Sequence, residues 1–436
     1  MTQYTDKNIA IIGAGLTGLS CARYLRQQAA NVTLFDTRAT PLAEVSEPVT
    51  WGEIPAQSLS QFDAVVVSPG VPFDLPALEY AKQAGVAVLG DIELFAQANT
   101  RPIIGITGSN GKSTVVSLLG HIFTRAGVKT AVIGNIGTPV LDALQDKQNS
   151  AVDWFILELS SFQLESTSSL HCDIAAVLNI SEDHLDRHHT MEAYRNAKMR
   201  IYGGAKQCLV LRDDPVLSAF KHDAHLSFGL SPAPVGMAWN PENHIVYHNG
   251  IAALDFSRCN LAGEHNVLNV QVAYLVAILA GIEPQLTVAA IEDFHGIAHR
   301  YEQVGVRRGV IWINDSKATN PGAALASIVA AKKQTQNNLI VIMGGEAKGA
   351  NLAVLAAELT DVRYVIALGR DGRQFLAMQP NSVYVDNMQQ AVELAESIAQ
   401  SGDIILLAPA CASLDMFKNY QHRGDCFKQA FAELAA

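Results

Sequence analysis

The segment Ile103-Ile-Gly-Ile-Thr-Gly108-Ser-Asn-Gly111-Lys112-Ser113-Thr114 constrains this chain more than any other. An apolar strand-like run breaks at glycines, and a helix follows with apolar residues at Val115, Val116, Leu118, Leu119, Ile122 and Phe123, ending before Gly127. A strand that enters a helix through a glycine turn opens a βαβ unit, which commits its surroundings to a parallel sheet with crossover helices. The turn has P-loop chemistry: amides wrap phosphates, Lys112 meets the terminal phosphates, and a hydroxyl holds Mg²⁺. Its spacing departs from the strict pattern, because the position five before Gly111 is Ile106. A lysine at a helix start opposes the macrodipole unless an anion is bound.

The same alternation recurs in Ile9-Ala-Ile-Ile, Asn31-Val-Thr-Leu-Phe, Ala64-Val-Val-Val, Trp154-Phe-Ile-Leu and Ile174-Ala-Ala-Val-Leu, then in Leu339-Ile-Val-Ile-Met, Tyr364-Val-Ile-Ala-Leu and Ile404-Ile-Leu-Leu. Apolar runs of this kind suit strands covered on both faces, so the fold class is α/β with parallel sheets. At 436 residues the chain has length for two to four domains. Seams are expected at Gln97-Ala-Asn-Thr-Arg-Pro and at Phe294-His-Gly-Ile-Ala-His-Arg, which predicts domains at 1–96, 97–297 and 298–436. Residues from about Asp213 to Gly263 read as a β excursion of the middle domain. The apolar stretch Val267 to Ile282 contains Asn269 and Gln271 and falls short of the roughly 20 residues needed to span a bilayer, so it reads as a buried helix.

The net charge of −11 carries no Lys/Arg-rich segment, which excludes nucleic acid and an anionic membrane face as expected partners. Six cysteines, at 21, 172, 208, 259, 411 and 426, form no C-x-x-C pair and no short framework; with no export signal in view, a cytoplasmic protein is expected.

A second phosphate-type turn, Gly13-Ala-Gly15-Leu-Thr-Gly18, follows the first strand and opens a helix patterned by Leu16, Leu19, Ala22 and Leu25. Asp36 ends the next strand, where it is placed to take a hydroxyl of a ribose or similar group. This fingerprint alone does not separate NAD from another nucleotide. Two further clusters follow strands in the middle of the chain: Leu157-Glu158-Leu-Ser160-Ser161-Phe-Gln-Leu-Glu165, and Asn179-Ile-Ser-Glu182-Asp183-His184-Leu-Asp186-Arg187. Carboxylates and a histidine at the C-terminal ends of adjacent parallel strands sit where open α/β sheets bind ligands, so Glu158 and His184 are candidate metal or phosphoryl-site residues. His188 and His189 are expected at the surface. Later clusters, His299-Arg300, Asn314-Asp315-Ser-Lys317-Ala-Thr319-Asn320, Gly344-Gly-Glu-Ala-Lys348 and Pro409-Ala-Cys411-Ala-Ser413-Leu-Asp415-Met-Phe417-Lys418, each follow a strand and are expected to face one cleft, with Cys411 packed rather than reactive.

Together these residues resemble the Mur ligases of bacterial peptidoglycan synthesis, from Gly13 to about Phe427, and Thr107-Gly-Ser-Asn-Gly-Lys-Ser-Thr114 matches that family's variant P-loop. Folylpolyglutamate synthases share the loop, but the Gly13–Gly18 turn and the Ser-Lys-Ala-Thr-Asn segment disfavour them. The segments 157–165, 314–320 and 409–418 resemble the subgroup that adds D-glutamate to UDP-N-acetylmuramoyl-L-alanine. The resemblance implies a Rossmann-like N-terminal domain, a central P-loop ATPase-type parallel-sheet domain and a C-terminal Rossmann-like α/β domain, in a cytoplasmic and monomeric ligase serving cell-wall synthesis, cell shape and division. It implies UDP-substrate contacts at Leu16, Thr17, Asp36, Thr37, Arg38, Gly70 and Asn135, so no nicotinamide is expected. It implies ATP contacts at Gly108, Ser109, Asn110, Gly111, Lys112, Ser113, Thr114, Asn266, Asn269, His299, Arg300, Asp315 and Lys317. Thr319, Lys348, Ser413, Leu414 and Tyr420 correspond to the D-glutamate site; relatives often carry Phe at the last.

The resemblance further implies two Mg²⁺ sites, with Ser113, Glu158, His184 and Lys198 as ligands, and a CO₂-derived carbamate on Lys198. By its residues alone Lys198 reads as a solvated helix lysine. Lys112, Glu158, His184 and Lys198 are the implied catalytic set, and the general base for the D-glutamate amine is left open. Closure of the third domain is expected, hinged at Gly296 to Arg300. Two other classes fit parts of the sequence: an NAD-dependent oxidoreductase, which needs no separate P-loop, and a non-catalytic nucleotide switch, which needs no Glu158, His184, Lys198 or Lys348.

Overall fold

Strands whose consecutive residues are all apolar need cover on both faces, and the chain supplies it with helices between them. A computed structural model describes the chain apart from residues 1–2, 40–44, 46, 147–148, 150, 221–224, 262, 336–337 and 435–436. The N-terminal sheet is parallel throughout, with β1 (Asn8–Ile12), β2 (Asn31–Asp36), β3 (Val49–Trp51), β4 (Ala64–Val67) and β5 (Ala87–Leu89) in the order β3-β2-β1-β4-β5. The chain leaves β1 toward β2 on one side and later returns to β4 on the other, which opens a crevice beyond the end of β1. Gly13 and Gly18 let the turn after β1 close tightly: a Cβ on Gly18 would lie 1.7 Å from the Gly13 carbonyl oxygen.

The middle sheet contains β6 (Ile103–Thr107), β7 (Thr130–Gly134), β8 (Trp154–Glu158), β9 (Ile174–Val177), β10 (Gln207–Leu211) and β11 (His225–Phe228), in the order β11-β10-β9-β6-β8-β7 and parallel throughout. The P-loop helix Lys112–Arg125 covers one face and packs against the helix Glu264–Leu279, which is buried on nearly every side as its apolar sequence predicts. The β excursion is an antiparallel meander of β12 (Met237–Asn240), β13 (Ile245–His248) and β14 (Ile251–Asp255). One apolar cluster runs from Ile9 and Leu25 through Ile92 and Phe95 to Phe123 and Phe155, so the first two sheets share a core. The helix Asp91–Ala98 joins them; its Phe95 meets Phe155 edge-on at 5.2 Å.

The C-terminal sheet adds β15 (Glu302–Arg307) antiparallel to β16 (Val310–Asn314), then β17 (Leu339–Gly344), β18 (Tyr364–Leu368), β19 (Ser382–Tyr384) and β20 (Ile404–Leu407), in the order β15-β16-β20-β17-β18-β19. It keeps a core of its own on each face, one around Ile328 and Val341 and one around Trp312 and Phe427. No helix among the described residues is long and apolar enough to cross a membrane.

Candidate active site

The P-loop sits at the C-terminal end of β6 and is held from two sides. Gly108 and Gly111 have φ of 150° and 86°, and a Cβ on Gly111 would lie 2.4 Å from Asn269 Oδ1. Ser109 and Asn110 donate their amides to the backbone oxygen and side-chain oxygen of Asn179, which follows β9. Lys112 Nζ donates to the carbonyls of Gly108 at 2.7 Å and Ser109 at 2.9 Å. Burial lowers the Lys112 pKa, and Arg300 adds to that, while Glu158 opposes it. Ser113 Oγ donates to Glu158 Oε2 at 2.5 Å, and Asn135 Nδ2 donates to Glu158 Oε1 at 2.9 Å. Glu158 thus closes β8 with both oxygens engaged and almost no exposure.

The helix Met191–Met199 brings in Lys198, only 2% exposed, with Nζ donating to Gly108 O at 2.9 Å and lying 4.6 Å above the Tyr194 ring. This corrects the reading of a solvated lysine: helical position says nothing of what packs over a face. Burial drives its pKa well below the ordinary amine range, and the charge of Lys112 adds to that. His184 stands in a left-handed conformation, φ 53°, with its ring edge-on to Phe162 at 4.9 Å. Burial lowers its pKa, against the opposing charge of Asp183. His188, expected at the surface, is instead buried: Nε2 lies 2.9 Å from Ser161 Oγ, Nδ1 lies 3.2 Å from Glu165, and the ring stacks on Phe162. His184 and His189, both at positive φ, bracket the short helix Leu185–His188, whose last residue turns inward while His189 stays outside.

Among the described residues no three His, Cys, Asp or Glu side chains converge as a metal site. Ser113 and Glu158 present hard oxygen donors that fit one Mg²⁺ beside the P-loop. Lys198 with His184 fits a second only if the amine becomes an oxygen ligand, since an ammonium repels a cation.

The third domain closes one cleft of about 670 Å³ over these groups, contributing Arg300, Asp315, Lys317, Thr319 and Asn320 to walls that also hold Asn266 and Asn269. Arg300 Nη2 donates to Ser113 Oγ at 2.8 Å, so the two domains are in direct contact at the P-loop. Asp315 accepts from the Tyr301 amide and from Ser327 Oγ; burial raises its pKa despite these bonds and Arg300. Lys317 Nζ lies 4.1 Å from the centre of the Tyr420 ring, and burial, aided by the charges of Arg300 and Lys112, holds its pKa at about 8. His299 does not line this cleft. Asn314 Nδ2 lies 3.0 Å from its Nδ1, and its Nε2 faces Asp425, which turns the ring into the third domain. Lys348, Ser413, Leu414 and Tyr420 also lie outside the cleft wall; Leu414 is exposed, Ser413 buried, and Tyr420 packs behind Lys317.

In the first domain Leu16, Thr37, Arg38 and Gly70 are exposed at the C-terminal ends of β1, β2 and β4, with Thr17 half-buried beside them. Leu16, assigned by periodicity to the apolar face of its helix, is 81% exposed, because a first-turn side chain projects past the sheet. Asp36 accepts from the Ala14 amide at 2.7 Å and from Arg38 at Nε, Nη2 and the backbone amide. Burial opposes its charge, but Arg38 and the Ala14 amide outweigh that and hold the pKa at about 2. Asn135 sits apart from this group, beside Glu158.

Several participants escape sequence reasoning. Asn179 shapes the P-loop, and Arg423, 1% exposed, ties Ser316, Gly344, Cys411 and Ala412 together through their carbonyls. No local signal marks Arg423; Asn179 opens the cluster after the strand at Ile174, where position points to the site but not to this role. Asn320 does carry a local signal, standing directly before Pro321 as an N-cap stands before a first-turn proline.

Three domain families match in order: a MurD-like N-terminal domain of Mur ligases over residues 7–90, the Mur ligase middle domain over 106–277, and the Mur ligase glutamate ligase domain over 299–411. The chain is 40% identical to the UDP-N-acetylmuramoylalanine–D-glutamate ligase of Shewanella oneidensis over 97% of this chain and 98% of that one. It is 42% identical to the ligase of the same name from Legionella pneumophila (strain Lens), over 96% and 97%. Among solved structures, a pseudomurein peptide ligase type C from Methanothermus fervidus shares the fold with a TM-score of 0.64 at 18% identity, covering 98% of this chain and all of that one. The UDP-N-acetylmuramate-alanine ligase of Thermotoga maritima gives the same TM-score at 17%, with the same coverage.

Proposed function

We propose, from the premise that this chain belongs to the Mur ligase family, that it uses ATP to join D-glutamate to the L-alanyl carboxylate of UDP-N-acetylmuramoyl-L-alanine. What carries this reading is the identity of about two residues in five with D-glutamate ligases along almost the whole chain. The cleft supplies a physical rationale. Two anions must meet, a γ-phosphoryl and a carboxylate, and each unit pair held about 4 Å apart costs about 4 kcal/mol at an effective dielectric of about 20. Lys112, Arg300 and Lys317 converge there and offset that repulsion.

Ser113, Glu158, His184 and a carbamylated Lys198 would hold two Mg²⁺, which when bound supply further charge neutralisation on the phosphates. The lysine is suited to this, because burial and the charge of Lys112 shift its amine toward the neutral form, and only a neutral amine attacks CO₂. That attack forms an N–C bond and releases one proton. Transfer of the phosphoryl to the carboxylate gives an acyl phosphate and ADP; the D-glutamate amine then forms the amide and expels phosphate. Arg300, bonded to Ser113, keeps the third domain over the site and water out of it.

The UDP part is assigned to the residues beyond β1, β2 and β4: exposed Leu16, Thr37, Arg38 and Gly70, with half-buried Thr17 beside them. Asp36, fully engaged with Ala14 and Arg38, orients that turn. D-glutamate is assigned to the side of the cleft marked by Thr319 and by Lys317, against which Tyr420 packs, with Lys348, Ser413 and Leu414 beyond the wall. The enzyme works in the cytoplasm as a monomer in this reading. Phosphate release from ATP and Mg²⁺ with UDP-N-acetylmuramoyl-L-alanine, compared for D-glutamate, L-glutamate, L-lysine and no acceptor, tests it. D-glutamate-dependent release with a product heavier by one glutamyl unit is expected. Dependence on another amino acid would move the chain within the family, and no release with any acceptor would refute the reading.

A further inference from the structure

Asn320 is the last residue before the helix Pro321–Thr335 of the third domain, and it is 6% exposed. Its Oδ1 accepts from the Ala323 amide at 2.8 Å, capping that helix. A backbone amide only donates, so the oxygen must face it, and the amide nitrogen is thereby aimed at the middle domain. There Nδ2 donates to Asn110 Oδ1 of the P-loop at 3.3 Å and to Asp183 Oδ2 at 3.1 Å. Asp183 precedes His184 and accepts that residue's amide through its other oxygen at 3.0 Å. The contact is close around it as well: a Cβ on Gly322 would lie 3.2 Å from Ser181 Oγ. One side chain therefore joins the start of a third-domain helix to both loops that shape the middle-domain site.

We infer that Asn320 is a positioning residue that couples closure of the third domain to the arrangement of the P-loop and the Asp183–His184 loop. With the domain closed, its two donors hold Asn110 and Asp183; with the domain open, both acceptors lose that partner. Closure then depends on an acceptor pattern that only the assembled site presents, and the acyl phosphate is shielded from water while the pattern is intact. This rests on the D-glutamate ligase reading above.

The test separates the cap from the bridge. Asn320→Asp keeps an oxygen for the Ala323 amide but sets a carboxylate against Asp183, and Asn320→Ser keeps the cap while removing both donors. With the full chain, the expected result for Asn320→Asp is a parent-like melting temperature and a kcat/KM for D-glutamate lower by about tenfold or more, since a hydrogen bond to a charged group is lost. More than one phosphate should be released per product, as acyl phosphate is lost to water. Asn320→Ser should shift both quantities in the same direction by less. Parent-like kinetics, or a slower enzyme that still releases one phosphate per product, would overturn the inference, the latter because a merely structural defect lowers rate without uncoupling. If Asn320→Asp fails to fold, the serine variant is judged by the same two criteria. Should the parent itself make no D-glutamate-dependent product, the ligase reading fails on its own. Compaction by an ATP analogue in solution scattering then still scores the coupling: equal compaction of parent and variants would refute it.

Discussion

Asp91 opens the helix that joins the first two sheets, and it is 4% exposed. Gln163 reaches Oδ2 at 3.4 Å, and Oδ1 is buried with no partner among the described residues. Burial raises its pKa from 3.8 to about 6, against the helix-start amides and Gln163. The folded value lies above the unfolded one, so the folded chain keeps this proton longer and stability falls as pH rises through that window. Above it the cost is constant: ~2.2 units at about 1.36 kcal/mol each is about 3 kcal/mol. At pH 4.5 the same relation leaves about 1 kcal/mol. Asn does not titrate, so Asp91→Asn should be stabilised relative to the parent by about 2 kcal/mol more at pH 8 than at pH 4.5, however well the new amide fits.

The first two sheets share one core, and for a unit of roughly 300 residues the full 3 kcal/mol corresponds to a shift of about 5 °C in melting temperature. Calorimetric scans of parent and variant at the two pH values read this directly. A melting difference that is the same at both would refute the reasoning, because it would mean that the carboxyl ionises in the folded chain as it does in the unfolded one.

Three other outcomes follow from the site and its supports. Lys317, held at about 8, gains a partner when a polyanionic nucleotide enters, so ATP binding near pH 8 should take up about half a proton and weaken about tenfold per unit at higher pH; calorimetry in buffers of different ionisation enthalpy measures both. His188→Ala should cost about 3 kcal/mol in urea unfolding, since it empties a packed site and strips a partner from both Ser161 and Glu165; a loss below about 1 kcal/mol would return His188 to the surface. Gly18→Ala places a methyl against the Gly13 carbonyl, so binding of UDP-N-acetylmuramoyl-L-alanine should fall at least about tenfold while ATP binding by the middle domain is retained, as titrations with each ligand would show.

Much of this molecule was legible along the chain because its information is local. An apolar run, a glycine that accepts positive φ and a helix of period 3.6 are properties of adjacent residues, and they place Gly108, Lys112, Glu158 and His184 at the ends of parallel strands. The three-layer α/β domains and the buried helix Glu264–Leu279 follow from the same arithmetic. Where sequence reading failed, the deciding atoms came from elsewhere in the chain. Lys198 is buried by the P-loop some ninety positions away, His188 by Ser161 and Glu165, and His299 is turned aside by Asn314. Leu16 fits its helix period and is exposed nonetheless, because nothing packs beyond the sheet edge there.

The sequence by itself therefore determined which local units form and which chemical groups stand at their ends, since backbone preference and side-chain period act over a few residues. Only the tertiary structure decided which of those groups share a cleft, which are desolvated and which cross between domains, as Arg300 and Asn320 do. Burial and charge proximity are properties of the closed packing, and there they lower the pKa of Lys198 and Lys317, on which the proposed chemistry draws.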